Sequence, residues 1–282
     1  MKYLCFTVEV DRAVAHIQLS RPEALNTMIP EFWSELPAII GDLSNDGSIR
    51  AAVLSSTGRH FTAGMDLSAF ADHNATVADA GRANLARRHR VRAFQDAFSA
   101  VEKARMPVLA AIQGGCIGGG VDLVTACDMR YASADAFLVV QETNIGLAAD
   151  AGVLQRLPKL IPDGIARELV YTGTRMPASR AYEVGLVNQV FADRETMIEE
   201  VTAIAREIAQ KSPLAVWGSK SALVYARDHS TLDGLDRIAD WSAATLAGND
   251  IAESVTARAE QRQPAYRDLP RVDSSSGGFT ED

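Results

Sequence analysis

Asp122, Glu142 and Asp150 are the residues whose surroundings suit acid–base chemistry. Asp122 follows Gly118-Gly119-Gly120-Val121, Glu142 follows the apolar run Phe137 to Val140, and Asp150 sits in Gly146-Leu147-Ala148-Ala149-Asp150-Ala151-Gly152. Glu142 and Asp150 have small, apolar neighbours, unlike the solvated settings of Asp42 or Glu199. A carboxyl removed from water stays neutral to higher pH, which brings its pKa toward the range useful for proton transfer at neutral pH. Any one of these acids is equally a helix cap or a surface charge, and Asp122 alone suits the cap of its own helix. Three together beside glycine-rich turns point to a proton-transfer site.

The glycines are the second signal. Gly114-Gly115-Cys116-Ile117-Gly118-Gly119-Gly120 places five glycines in seven positions, after a strand and before a helix. Without side chains the main-chain N–H groups can approach a ligand, and the helix start adds the positive end of its dipole. Close packing of helix on strand is the plainer use of such glycines. A second loop, Phe61-Thr62-Ala63-Gly64-Met65-Asp66-Leu67, also exposes backbone, and each loop can give one N–H to a shared oxygen, as an oxyanion hole requires. Neither dinucleotide nor phosphate-loop spacing is satisfied, and no serine occupies a hydrolase elbow.

These residues need strands and helices to hold them. Alternation predicts strands through Phe6, Val8 and Val10 and through Ala15, Ile17 and Leu19, and apolar runs predict further strands at Ala51 to Ser56, Val108 to Ile112, Met129 to Ala132 and Phe137 to Val140. Helices are expected from Pro30 to Leu43, from Asp79 to Lys103 and from Val121 to Ala126. Strands alternating with helices imply an α/β fold with a largely parallel sheet. Past Met197 the pattern turns helical, over Glu199 to Gln210, Pro213 to Ala226, Leu232 to Leu246 and Ile251 to Arg262. Residues 1–198 are therefore read as the core, 199–262 as a helical appendage, and 263–282 as a flexible polar tail.

The chain has 282 residues, 47% hydrophobic, with a formal charge of −8. That apolar content supports a sizeable core, and the charge argues against nucleic acid or an anionic membrane as partner. No stretch approaches a spanning helix, and MKYLCFTVEV lacks the apolar region of a signal peptide. Cys5, Cys116 and Cys127 match no disulfide framework or metal spacing, so a reduced, cytoplasmic setting is expected. His16, His60, His73, His89 and His229 show no metal-ligand spacing either, so no metal is expected.

Arg21-Pro22-Glu23-Ala24-Leu25-Asn26, the loop Ala63 to Leu67 and the segment Gly118 to Cys127 together resemble the enoyl-CoA hydratase/isomerase (crotonase) superfamily, over about Phe6 to Arg262. The resemblance implies a spiral of ββα turns, a C-terminal helical trimerisation region, and a homotrimer or a hexamer of two trimers. It implies a coenzyme A thioester as substrate, with no resident cofactor. The thioester oxygen would be held by the N–H groups of Met65 and Gly119, and coenzyme A by Ala24, Leu25, Ala63, Asp66 and Leu67.

Within that superfamily the acidic trio is similar to that of the dienoyl-CoA isomerases. The hydratases would have Glu at position 122 and typically Gly at 150. The likeness implies Glu142 as the base at carbon 2, Asp150 as the acid at carbon 6, and Asp122 as the group that tunes Glu142. A hydratase on 2-enoyl-CoA, an isomerase of 3-enoyl-CoA and a non-catalytic acyl-CoA binder are the alternatives; an Asp at 122 withdraws the carboxyl by roughly 1.5 Å and should make hydration weak. The arginines Arg82, Arg87, Arg88, Arg90 and Arg92 beside His89 read as a solvated helix face, with the phosphates of coenzyme A as the alternative. Lys220 is a candidate for the phosphates of a neighbouring subunit's ligand, and the acyl-tail pocket depends on how Phe70, Leu85 and the C-terminal helices pack.

Overall fold

The computed structural model describes residues 3–66 and 79–272 and the backbone of 279–280. Chain order opens β1 (Phe6–Asp11), β2 (Val14–Leu19), α1 (Phe32–Asp46), β3 (Ala51–Ser56), α2 (Ala80–Lys103), β4 (Val108–Ile112), β5 (Gly115–Ile117), α3 (Gly119–Ala126), β6 (Met129–Ser133) and β7 (Phe137–Val139). It continues α4 (Val153–Arg156), α5 (Asp163–Thr172), β8 (Met176–Pro177), α6 (Ala178–Glu183), β9 (Gln189–Phe191), α7 (Arg194–Ala209), α8 (Pro213–Ala226), α9 (Thr231–Thr245) and α10 (Asn249–Ala259), ending in the short β10 (Arg271–Val272) and β11 (Phe279–Thr280).

The larger sheet has the order β1-β2-β3-β4-β6-β9 and is parallel except for the β1–β2 hairpin. β3 is buried along its whole length, and its side chains alternate between two cores. Ala52 and Leu54 join the core beneath α1, α2 and α3, while Ala51 and Val53 join Met197, Val201 and Ala205 of α7 on the other face. A smaller sheet, β5-β7-β8, runs alongside. β4, β5 and α3 form one turn of a spiral, and β6 with β7 opens the next. This is the α/β spiral that the resemblance implies.

Three boundaries differ from the sequence expectation. Pro30 lies ahead of α1 rather than in its first turn, its carbonyl accepting the Trp33 N–H, and Glu31 occupies the cap position. The expected division between residues 198 and 199 falls inside α7, which starts at Arg194 because the Asp193 carboxylate caps it through the Thr196 N–H. Val201 and Ala205 belong to the sheet's second core, so α7 is part of the sheet layer. Residues 263–272, expected in a flexible tail, pack back on the core: Leu269 is buried and bonds Gly47, and Arg105 donates to the Pro270 carbonyl.

α8 and α9 form a helical hairpin closed by Trp217 against Trp241, their rings 5.0 Å apart. α9 buries none of its residues, and Leu232, Leu235 and Leu246 stand exposed beside Ile251 and Val255 of α10.

Candidate active site

The glycine-rich turns are laced together before they reach the site. The Thr62 N–H donates to Gly115 O and the Ile117 N–H to Thr62 O, each at 3.1 Å. This pairing sets residues 62–66 beside the β5–α3 turn. Met28 fixes their other edge, donating to Gly64 O at 2.9 Å and accepting the Asp66 N–H at 3.1 Å. Gly64 adopts φ +88° and Gly118 φ +54°, both in the region that favours glycine. Each turns the next peptide out of its ladder, and those peptides carry the Met65 and Gly119 N–H groups. Among the described residues neither N–H donates to a protein acceptor. The loops run so close that a Cβ on Gly64 would stand 3.6 Å from the Gly119 nitrogen.

Asp122 lies in the first turn of α3 with 1% of its surface exposed. Its Oδ1 accepts the Val153 N–H at 2.6 Å, so it does not cap its own helix. Burial lifts its pKa to about 7; the charge of Glu142 adds to the rise and the Val153 N–H opposes it. Glu142 opens a 3₁₀ turn, Glu142–Ile145, just beyond β7. Its Oε1 lies 3.4 Å from where a Cβ on Gly118 would stand, and its Oε2 is buried without a hydrogen-bond partner among the described residues. Burial raises the pKa of Glu142, and the charge of Asp150 adds to it. Asp150 is half-buried, and desolvation raises its pKa as well. The sequence leads one to expect such shifts for Glu142 and Asp150; the rise at Asp122 comes from its burial in the fold.

All three acids line one cavity of about 600 Å³ together with Met65, Gly119 and Ala63. The other segment expected to hold coenzyme A stands behind that wall. Ala24 and Leu25 are not in the lining, but the Leu25 carbonyl accepts the Ala63 N–H at 2.9 Å. Asp66 is outside the lining too, its carboxylate accepting the Thr27 hydroxyl at 3.1 Å. Leu67, Phe70 and His73 lie outside the described residues.

Sequence reasoning missed part of the cavity. Trp33 of α1 lines it and packs on Phe94 of α2 with ring centroids 4.2 Å apart, whereas Leu85, one of the residues whose packing the sequence leaves to decide the tail pocket, is exposed and outside the lining. A Trp followed by Phe94 and Phe98 on the apolar face of a helix is the signal that was present in the chain. Gln95 donates to the Asp150 carbonyl at 2.7 Å. Arg175, stacked over Phe137 at 4.4 Å, lines the cavity as well. Lys220 is not available for phosphates in this structure: it is buried, and its Nζ donates to Val101 O, Met106 O and the Asp128 carboxylate. Arg82, Arg87, Arg88, Arg90 and Arg92 lie on the exposed side of α2, as expected. Among the described residues no group of three His, Cys, Asp or Glu side chains is placed to hold a metal ion, and no helix is long and apolar enough to cross a membrane.

Chemically, the cavity brings together two main-chain N–H groups without an acceptor among the described residues and three acids whose burial raises their pKa. The family model described as enoyl-CoA hydratase/isomerase matches residues 9–269. The chain is 45% identical to the mouse protein named delta(3,5)-delta(2,4)-dienoyl-CoA isomerase, mitochondrial, over 88% of this chain and 77% of that one. It is 40% identical to the Arabidopsis thaliana protein named delta(3,5)-delta(2,4)-dienoyl-CoA isomerase, peroxisomal, over 92% and 94% of the two chains. Among solved structures, the enoyl-CoA hydratase of Bacillus anthracis superposes with a TM-score of 0.85 at 32% identity, covering 93% of this chain and 98% of that one.

Proposed function

Since this chain belongs to the enoyl-CoA hydratase/isomerase family, we propose that it shifts the double bonds of a 3,5-dienoyl-CoA thioester to the 2,4 positions. A proton leaves carbon 2, the electron pair spreads through the conjugated chain onto the thioester oxygen, and a proton is added at carbon 6. No atom is gained or lost overall. The N–H groups of Met65 and Gly119 hold the oxygen as charge develops on it; one such donor is typically worth ~10²–10³ in rate. Glu142 takes the carbon-2 proton and Asp150 supplies the one at carbon 6.

The observation that carries this reading is the state of the acids. Among the described residues Glu142 Oε2 is buried without a hydrogen-bond partner, in the cavity that Asp150 also lines. A buried orphan oxygen carries a desolvation cost, which a fold bears where function needs the oxygen free. Asp122 sits behind them, its charge competing with that of Glu142, so the set favours states in which not every carboxyl is ionised. That is the condition for one acid to act as base while another still holds its proton.

Coenzyme A enters as part of the substrate and no resident cofactor is invoked. The loops at Ala24, Leu25, Ala63, Asp66 and Leu67 lie along its path in this reading. The exposed leucines of α9 and the apolar residues of α10 support a homotrimer or a hexamer, and three free, buried cysteines agree with the reducing cytoplasm. The test is a comparison of purified protein on 3,5-dienoyl-CoA and 2-enoyl-CoA. Faster turnover of the dienoyl thioester is expected; faster hydration of the enoyl thioester assigns a hydratase instead. No turnover of either, with acyl-CoA still bound, assigns a binding protein.

A further inference from the structure

The loop that carries Asp150 has few attachments. Its start is held where the Leu147 N–H donates to Glu142 O at 2.9 Å, and its end where the Val153 N–H donates to Asp122 at 2.6 Å. Between them, among the described residues, the stretch 148–150 receives a single hydrogen bond from the rest of the protein, from Gln95 Nε2 to the Asp150 carbonyl at 2.7 Å. Gln95 comes from the middle of α2, where the helix changes from solvent-facing to packed. Residues 84–90 are exposed, whereas Ala97, Phe98 and Val101 are in the core. Phe94 beside it is pinned against Trp33. The Gln95 amide is oriented from its far side as well, because Arg92 donates to its Oε1 at 3.3 Å.

We infer that Gln95 is a positioning residue that sets the place of the Asp150 carboxyl through the Asp150 main chain, and so governs the second proton transfer without taking part in the first. This rests on the dienoyl isomerisation reading above. The amide reaches the carbonyl of the same residue whose side chain must meet carbon 6, so a shift at that carbonyl carries the carboxyl with it. Glu142 is held by a different set of elements, β7 and the 3₁₀ turn after it, and among the described residues none of its hydrogen bonds involves α2. Displacing a reacting group by ~1 Å can cost ~10² in rate. Loss of the Gln95 bond should therefore separate the two proton steps.

The experiment uses Gln95→Leu and the nearly isosteric Gln95→Glu, which keeps the packing but presents no N–H to the carbonyl once ionised. Two rates are measured at neutral pH: isomerisation of a 3,5-dienoyl-CoA, and exchange of solvent deuterium into carbon 2 of a saturated acyl-CoA, which has no carbon-6 step. Isomerisation should fall roughly ten- to a hundredfold in both variants through kcat, with KM within about twofold and carbon-2 exchange unchanged. Isomerisation at the wild-type rate overturns the inference. So does a parallel fall of both rates, or a loss confined to the Leu variant, since each marks Gln95 as a packing residue. If the wild-type protein itself exchanges carbon-2 protons but does not isomerise the dienoyl thioester, the proposed reaction fails instead, and the two failures are told apart.

Discussion

The Asp122 carboxyl on α3 accepts the main-chain N–H of Val153, the first residue of α4, at 2.6 Å across 31 positions of sequence. The bond joins the glycine turn that offers the Gly119 donor to the end of the loop that carries Asp150. It also places a carboxyl where solvent cannot reach it, so that its charged form is costly, and Arg156 on α4 lowers that cost only in part. Asp122 is thus held by the scaffold as much as it serves the cavity.

One consequence is a pH-dependent stability. An ordinary Asp titrates at 3.8 and Asp122 at about 7, so the folded state is at its best, on this account, below the unfolded value and loses stability as pH rises from about 4 through about 7. Asp122→Asn keeps an oxygen for the Val153 N–H and removes the slope. Chemical denaturation at pH 4 and pH 8 should show near-equal stabilities at the lower pH. At the higher pH the variant should be more stable by up to about 4 kcal/mol, less whatever its new amide N–H groups cost in burial. A variant less stable than the wild-type protein at pH 8 contradicts the burial argument.

Much of this arrangement is legible in the chain, for physical reasons that differ by residue. β3 can be read from Ala51 to Ser56 because a fully buried parallel strand is an unbroken apolar run between turn residues. The acids can be found because an Asp or Glu among glycines and alanines has no solvated reason to be there. What the chain hides are contacts set by tertiary packing. Nothing local links Asp122 to Val153, Gln95 to Asp150, or Trp33 to Phe94, since the first pair meets only when α3 packs on α4 and the others only when α2 packs on α1 and the 146–152 loop. Lys220 misleads for the same reason: its surface-like sequence context conceals three carbonyl and carboxylate acceptors that the fold brings to its ammonium group.

Gly64 tests the oxyanion hole apart from the acids. It holds φ +88°, and a Cβ there would lie 2.7 Å from the Ile117 carbonyl oxygen. Gly64→Ala must therefore move the loop and with it the Met65 N–H, at a stability cost of about 1–3 kcal/mol. Carbon-2 exchange and isomerisation should both drop by ~10²–10³, because both develop charge on the same thioester oxygen. Unchanged exchange in a folded variant excludes Met65 as a donor.

On the proposed reaction, Trp33 is expected to limit the length of the acyl chain. It lines the cavity with Asp150, and its partner Phe94 is the neighbour of the Gln95 that bonds Asp150, so on the proposed reaction it is expected to wall the end beyond carbon 6. Trp33→Leu opens that wall at a stability cost of about 2–3 kcal/mol for the lost ring. Across a series of dienoyl thioesters of increasing length, the highest kcat/KM should move to a longer chain. The same optimum in both proteins places the tail elsewhere.

Asp150 offers the sharpest separation of the two proton steps. Asp150→Asn keeps the shape of the side chain and its loop, including the carbonyl that Gln95 holds, but cannot deliver a proton to carbon 6. Isomerisation should fall by ~10²–10⁴, the usual worth of a general acid, while binding of an acyl-CoA stays within about twofold. Carbon-2 exchange should persist, and its pH profile should move in a known direction. The charge on Asp150 raises the pKa of Glu142, so its removal lets Glu142 ionise earlier, and the rising limb of exchange shifts to lower pH. Glu142→Gln is the counterpart: it removes the base and should abolish exchange and isomerisation together. Should Asp150→Asn isomerise at the wild-type rate, or Glu142→Gln retain exchange, the roles given to the two acids are wrong.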